Sequence, residues 1–200
     1  MAQDRGVEMI GGDLALDFAN TVGWHARENP VEHLETYADF VQWTRRAGVL
    51  SAAQAAELLR RGAGAPGNGA RALERARRLR ETIYRVFSRI AAGLKPPERE
   101  LAGLMRWVAR AMASGIPEWR QGGLRLAWST DAGLDWPVHA IALAAGNLLS
   151  SPRRERLRQC GNDPCGWLFI DTTRNRSRRW CSSADCGNLV RVRRFRKAKG

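Results

Sequence analysis

Residues 160–165 and 181–186 read Cys160-Gly-Asn-Asp-Pro-Cys165 and Cys181-Ser-Ser-Ala-Asp-Cys186, and these two segments contain all four cysteines of the chain. Two close cysteine pairs joined by a short insert can bring four thiolates around one tetrahedral metal ion, and zinc is the usual occupant. Four cysteine ligands close the coordination sphere and leave no position for a catalytic water. The pattern therefore predicts one structural Zn²⁺ held by these four cysteines.

The insert between the two pairs indicates a β-hairpin. The apolar segment Gly166-Trp-Leu-Phe-Ile-Asp171 is typical of a strand, and a polar turn then leads into Arg178-Arg-Trp-Cys181 as the expected return strand. A module of about 45 residues buries little apolar surface, so a metal would contribute on the order of 10 kcal/mol to its folding. We expect Trp167 and Trp180 to cover the metal site.

Most of the positive charge of the chain lies in the same region. Residues 151–200 contain 14 Arg and Lys against four acids, a surplus of ten within a total net charge of +13. Such a balance favours a polyanionic partner, and nucleic acid is the commonest polyanion in the cytosol. A basic module on a nearly neutral body is therefore expected to bind nucleic acid.

The segment after the last cysteine, residues 187–199, fits a helix. Its apolar positions Leu189, Val192 and Phe195 share one face, which we expect to pack on the metal module while the basic face stays exposed. Such a helix suits the major groove of duplex DNA, with further backbone contacts from the hairpin tip. The candidate nucleic-acid-binding residues are Arg174, Arg176, Arg178, Arg179, Arg191, Arg193, Arg194 and Lys197.

The rest of the chain is predicted to be mainly helical with a minor β element. Apolar periodicity and end signals predict helices over about 30–47, 51–61, 73–90, 101–112 and 137–149, and alternation predicts a strand at 124–128. The glycine-rich segment 62–69 is expected to be a mobile loop. Residues 14–22 fit either a strand or a helix. The predicted domains are a helical regulatory domain, 1–152, and a basic finger, 153–200.

The cysteine-containing segment and two segments of the body resemble a known family. Trp180-Cys-Ser-Ser-Ala-Asp-Cys186-Gly-Asn188, with the preceding cysteine pair, is similar to the CGNR zinc finger. The segments Gly12-Asp-Leu-Ala-Leu-Asp-Phe-Ala-Asn-Thr21 and Arg80-Glu-Thr-Ile-Tyr-Arg-Val-Phe87 resemble the ABATE domain that precedes this finger in bacterial stress-induced transcription regulators. The resemblance implies a DNA-binding regulator with one structural zinc ion.

The chain departs from the family pattern at one position. Leu189 stands where the family has the arginine of Cys-Gly-Asn-Arg, so any contact made by that arginine does not carry over. We expect Arg191 to be the nearest substitute.

A regulator also needs something to sense. Asp17, Asn20, Thr21 and Trp24 form a cluster that could line a small-molecule pocket, although we favour the simpler interpretation that Asn20 and Thr21 cap a turn. The arginines opposite the apolar stripe of the helix over 73–90 are interpreted as its exposed face: Arg71, Arg75, Arg78, Arg85 and Arg89. The body could also mediate homodimerisation.

Several alternatives concern the function as a whole. The basic module could bind RNA or other nucleic acid without sequence preference, or it could bind only a protein partner. We find no catalytic motif, so an enzyme is not expected. The start of the chain lacks a secretory pattern and the longest apolar stretch, 140–149, is too short to span a bilayer, so we expect a cytoplasmic protein with no membrane partner.

Overall fold

The computed structural model describes residues 8–120 and 122–199 and is mainly α-helical, with small antiparallel sheets, as expected. Its helices are α1 (Leu14–Ala19), α2 (Tyr37–Arg46), α3 (Ala52–Gly64), α4 (Pro66–Ala91), α5 (Glu98–Ser114), α6 (Pro137–Ser150) and α7 (Asn188–Lys199). A 3₁₀ turn at Pro152–Arg156 precedes the cysteine-containing region, and a π-helical turn at Ser183–Gly187 contains Cys186.

Within the residues that the structure describes, the strands form three separate two-stranded antiparallel sheets. These pair β1 (Val22–Gly23) with β2 (Val31–Glu32), β3 (Ile116–Arg120) with β4 (Gly123–Ala127), and β5 (Leu157–Gln159) with β6 (Leu168–Ile170). The strand expected at 124–128 is β4, and its partner β3 is an element that the sequence analysis missed. Across the described ranges, no helix has the length and apolar character needed to cross a membrane.

The core forms where α1, α4, α5 and α6 meet. Phe18 of α1, Leu79 and Phe87 of α4, Leu104 of α5 and Ile141 of α6 are all fully buried. The same apolar cluster includes Leu157, Leu168 and Ile170 of the β5–β6 hairpin. The cysteine-bearing hairpin therefore shares the core of the helical body and is not merely tethered to it.

The first expected helix is shorter than the sequence suggests. We expected it to begin near Pro30, but residues 31–32 form β2 and α2 begins at Tyr37. Thr36 caps α2, because its hydroxyl accepts a hydrogen bond from Asp39 N while the Asp39 carboxylate accepts one from Thr36 N. This capping box sets the start of α2, and its end at Arg46, just before the left-handed Gly48, agrees with the prediction.

The prediction of a mobile loop at 62–69 is wrong. Helix α3 opens on the predicted Ser51 capping box and continues to Gly64, and α4 begins at Pro66 after the single residue Ala65. Proline is well suited to the first turn of a helix, where its missing N–H is not needed. Gly62 permits the close packing here, since a Cβ at this position would lie 2.6 Å from the Tyr37 ring. Gly62 and Gly69 therefore mark a close contact of α3 and α4 with Tyr37 of α2.

The ambiguous start of the chain is helical. Asp13 caps α1 by accepting a hydrogen bond from Ala15 N. The short helix is followed at once by β1, and the whole segment from Gly11 to His25 lies against the β5–β6 hairpin through hydrogen bonds described below. This N-terminal segment adds a hydrogen-bonded connection between the helical body and the cysteine-containing hairpin.

Candidate metal centre and the basic surface beside it

The four cysteines converge on one point. Their Sγ atoms all lie within 4.8 Å of one another, and all four side chains are buried. The Sγ atoms of Cys165 and Cys181 are 3.7 Å apart. Sulfurs bound to one tetrahedral zinc at about 2.3 Å would be about 3.8 Å apart, so the cluster has the dimensions of a zinc site.

The ionisation of the cluster also favours a bound cation. The hydrogen bond from Cys165 lowers the pKa of the Cys160 thiol far below its usual range, while the same contact raises the pKa of Cys165. Four sulfurs this close cannot all be thiolates unless a positive ion offsets their mutual repulsion. The site therefore holds one structural Zn²⁺, and its four cysteine ligands leave no open coordination position.

The first cysteine pair lies in the turn of the β5–β6 hairpin. Cys160 N donates to Trp167 O at 2.8 Å, and Cys165 N donates to Asn162 O at 2.8 Å. The chain then reverses at Gly166, whose φ of 73° lies in the left-handed region that glycine tolerates. These bonds point both sulfurs to the same side of the turn.

The hairpin is present, but its strands differ from those we expected. The apolar segment 168–170 is a strand, yet it pairs with Leu157–Gln159 upstream of the cysteines and not with residues 178–181. The later segment returns to the site by single contacts: Gly161 N donates to Arg179 O at 2.8 Å, and Cys181 N donates to Cys160 Sγ at 3.4 Å. The cysteine pair therefore occupies the hairpin turn.

A polar chain links the metal centre to helix α7. Asn162 Nδ2 donates to Cys186 Sγ at 3.3 Å, and Asn162 Oδ1 accepts a hydrogen bond from Arg193 Nη1 at 3.0 Å. Cys186 itself lies two residues before the start of α7. Asn162 was missed by the sequence analysis, although its position two residues after the first ligand was a usable signal. These hydrogen bonds through Asn162 hold α7 in a fixed direction relative to the metal site.

Aromatic side chains cover the cluster, as expected. Trp167 and Phe169 are buried against the cysteines and Trp180 packs beside them. The Arg178 guanidinium lies 4.2 Å above the Phe169 ring and donates to the backbone oxygens of Ile10 and Cys181. Arg178, one of the expected nucleic-acid contacts, is thus part of the internal structure of the module.

Residues 165–170 of the cysteine module are hydrogen-bonded to residues 11–25 at several points. Trp167 Nε1 donates to Val22 O at 2.8 Å, and Ile170 N donates to Gly11 O at 2.8 Å. His25 N donates to Cys165 O at 3.0 Å. The metal centre and α1 therefore belong to one continuous packing unit.

Asp17, Asn20, Thr21 and Trp24, the residues suggested as a ligand pocket, lie in this connecting segment. Asp17 Oδ1 accepts from Gly11 N at 2.8 Å, and burial raises the pKa of its carboxyl to about 6. Asn20 binds the Leu168 backbone, and the Thr21 hydroxyl donates to Phe18 O. Trp24 has a φ of 53° and stacks under Arg27 at 4.2 Å. These polar atoms hydrogen-bond within the chain.

Helix α7 presents its side chains almost entirely to solvent. Every residue from Arg191 to Lys199 is exposed, and Arg191 and Arg193 bend back to Ser183 O and Asn162. The expected packing of the apolar stripe on the metal module is wrong beyond Leu189, because Val192 is 39% and Phe195 60% exposed. Among the described residues, α7 is exposed from Arg191 onward and only Arg191 and Arg193 reach back to the module.

The remaining expected nucleic-acid contacts lie on two exposed surfaces. Arg174 and Arg176 are exposed in the polar turn after β6, where Arg176 has a φ of 50°. Arg179 is exposed beside the Trp180 ring. Arg194 and Lys197 lie on α7, and within residues 8–120 and 122–199 neither has an ion-pair or hydrogen-bond partner. The structure thus leaves these side chains accessible to phosphate groups.

Comparison with family models divides the chain into two parts, which meet between residues 152 and 156. Residues 12–152 match the ABATE model, described as "Putative stress-induced transcription regulator". Residues 156–199 match the CGNR zinc finger model. A search of curated proteins gives no match. The two matches cover the helical body and the four-cysteine module respectively.

Proposed function

Because the chain belongs to the ABATE family and carries a CGNR zinc finger, we propose that it is a transcription regulator whose finger contacts duplex DNA. In this proposal α7 is the DNA-contacting element, and the helical body senses a ligand or mediates assembly. The protein would act in the cytoplasm, where reduced thiols remain available to bind zinc. The family matches support a regulatory zinc-finger protein. DNA binding and ligand sensing are our proposals.

The exposure and charge of α7 carry the proposal. Its twelve residues extend about 18 Å, enough to lie in the major groove. Six of its residues are basic, and they occupy exposed positions with no acid on the helix: Arg191, Arg193, Arg194, Arg196, Lys197 and Lys199. A helix with so little buried surface gains little from packing on its own protein, which supports contact with an external polyanion.

The metal centre supports a binding role in preference to catalysis. Its four ligands are all cysteine, so the zinc ion has no free position for substrate or water. The two matched families are of regulatory and zinc-finger type. We therefore propose that the zinc ion orders residues 156–199 and that the protein is not an enzyme.

The test is a random-duplex selection with the full zinc-loaded chain, followed by fluorescence anisotropy on the recovered sequences. A specific regulator should prefer its selected duplex over scrambled duplex by at least about a thousandfold at physiological salt. Single-stranded DNA and duplex RNA serve as competitors. Discrimination below about tenfold, or tighter binding to RNA, would contradict the DNA-regulator proposal.

One observation favours a second candidate. Val192 and Phe195 are exposed on α7 at the spacing of one helix face, which also suits docking into an apolar groove of a protein partner. Replacing both with Ser would then abolish partner capture while leaving binding to duplex DNA unchanged. The Arg194→Gln, Lys197→Gln variant would do the reverse, so the pair of variants separates the two candidates.

A further inference from the structure

The helical body contains a concave basic surface that the proposed DNA contact does not use. It is a groove of about 720 Å³ between α4 and α5. Three arginines of α4 and three of α5 line it: Arg77, Arg78, Arg85, Arg99, Arg106 and Arg110. We propose that this groove binds a small molecule carrying several phosphate groups.

The charge in the groove is only partly compensated. Three glutamates also line it, but each already has a cationic partner. Glu74 pairs with Arg78 at 3.0 Å, Glu100 pairs with Arg85 at 3.0 Å, and Glu81 pairs with buried Arg80 at 3.1 Å. The acids of the groove are therefore committed to particular arginines.

Among the described residues, the three groove arginines of α5 have no acidic ion-pair partner. In the described part of the chain, no carboxylate forms an ion pair with Arg99, Arg106 or Arg110. All three are exposed and lie on one face of the helix at spacings of seven and four residues. Three guanidinium groups on one wall of a groove form a site that favours phosphate, which they can bind through paired N–H groups.

The shape of the groove indicates a small ligand. Gly103 faces α4, and a Cβ there would lie 3.8 Å from Thr82 Cγ2, so the two helices approach closely along the floor. Half-buried Trp107 lies beside Gly103 and offers a flat ring, with the Arg110 guanidinium 5.8 Å from its centre. The volume of the groove lies within the range of small-molecule sites. Its three carboxylates would repel the continuous phosphate backbone of a nucleic acid, so a small ligand fits better.

The groove is physically connected to the zinc finger. Glu81 Oε2 on the groove wall lies 3.0 Å from His25 Nε2, and His25 N donates to Cys165 O at 3.0 Å. A ligand that draws Arg77 or Arg78 into the groove would shift side chains on the same face of α4 that carries Glu81. This regulatory purpose rests on the proposed function, whereas binding to the groove can be tested without it.

The experiment is isothermal titration calorimetry of the full zinc-loaded chain with inorganic triphosphate and, separately, with ATP, both without Mg²⁺. We expect saturable one-to-one binding that is at least about tenfold weaker in the Arg106→Gln, Arg110→Gln variant, since two charge-assisted contacts are lost. The matched control is Arg45→Gln, Arg46→Gln, which removes two exposed charges from α2 and should bind as the wild type does. Tighter binding of ATP than triphosphate would identify a nucleotide, and equal binding an inorganic oligophosphate.

Three results would overturn the proposal. These are no saturable binding of either probe, equal affinity in the groove variant and the wild type, or a groove variant that loses affinity for duplex DNA. The last result would assign the groove to the DNA surface. A chain that binds triphosphate through the groove but binds no DNA would refute the proposed function and leave the phosphate site standing.

Discussion

The Asn20 side chain and the Leu168 backbone exchange two hydrogen bonds across 148 positions of the chain. Asn20 Nδ2 donates to Leu168 O at 2.9 Å, and Leu168 N donates to Asn20 Oδ1 at 2.9 Å. Both residues are buried, with Asn20 at the end of α1 and Leu168 at the start of β6. The asparagine thus pairs with strand β6 as a neighbouring strand would, and it joins the ABATE body to the zinc finger.

Replacing Asn20 with Ala should destabilise the whole protein. The substitution leaves a buried N–H and a buried C=O of Leu168 without partners, and we expect a loss of about 3 kcal/mol in the free energy of unfolding. Urea denaturation of the zinc-loaded chain measures this loss. The control is Asn175→Ala in the exposed turn after β6, for which we expect a change of about 0.5 kcal/mol or less. Equal midpoints for the two variants would contradict the bridging role of Asn20.

Asn162 is expected to tune zinc affinity without binding the metal. Its amide donates to Cys186 Sγ and is itself held by Arg193. Because such outer contacts orient a ligand and stabilise its thiolate form, Asn162→Ala should weaken zinc binding about tenfold to a hundredfold. Competition against a chromophoric chelator measures the affinity. Asp163→Ala, at the exposed neighbouring position, should leave it unchanged; an identical loss in both variants would indicate a general effect on the turn.

Two arginines of α4 should differ sharply in their contribution to stability. Arg80 is 3% exposed and its guanidinium binds both oxygens of Glu32, at 2.7 and 2.6 Å. Removing it takes both close hydrogen bonds from a partly buried carboxylate, which keeps only the longer ion pair with Arg77 at 3.4 Å, so Arg80→Met should cost about 3 kcal/mol in chemical denaturation. Arg78→Met breaks an ion pair on the exposed face of the same helix and should cost about 0.5 kcal/mol or less. Similar costs for the two would contradict the assignment of Arg80 as a structural residue.

The stability of the protein should depend on the ionisation of Asp17. Burial raises the pKa of this carboxyl to about 6, from about 4 in an unfolded chain. The folded protein therefore binds the extra proton between these values, and the contribution of Asp17 to stability falls as the pH rises from about 4 to about 6. Asp17→Asn keeps the oxygen that accepts from Gly11 N and removes the charge.

We expect Asp17→Asn to be more stable than the wild type by about 2 to 3 kcal/mol at pH 8, with the difference falling to about 0.5 kcal/mol at pH 4. Thermal denaturation of zinc-loaded protein across this range measures the difference. Asp163→Asn, on the exposed turn of the finger, should show a constant offset. A constant offset for Asp17→Asn as well would show that its carboxyl does not titrate in this range.

Features that depend on neighbouring residues could be predicted from the sequence. The four ligands follow from the spacing of the cysteines, and the Ser51 capping box follows from two residues three positions apart. Helices α4, α5 and α6 follow from apolar periodicity. In each case the physical cause acts within one or two helical turns, so a local pattern carries it.

Features that depend on distant contacts could not be predicted. Gly62 appears as a helix breaker until the Tyr37 ring is known to pack against it. Asn20 appears as a turn residue until it meets the edge of β6. Phe195 has the spacing of a packed stripe, but spacing cannot show whether a surface lies opposite, and here none does in the described residues.

The salt dependence of DNA binding should distinguish the arginines and lysines that contact phosphate from those that hold the finger together. Arg194 and Lys197 project from α7, whereas Arg178 packs on Phe169 and binds backbone oxygens. Because each phosphate contact releases about one counterion, Arg194→Gln with Lys197→Gln should reduce the slope of log K against log salt by about two and leave the melting temperature unchanged. Arg178→Gln should lower the melting temperature and keep the slope in whatever fraction remains folded. Anisotropy titrations from about 50 to 300 mM salt, the range in which phosphate contacts are lost, measure the slopes. A reduced slope for Arg178→Gln, with an unchanged slope for the α7 variant, would contradict this assignment. The DNA contact would then lie on the hairpin side of the finger and not on α7.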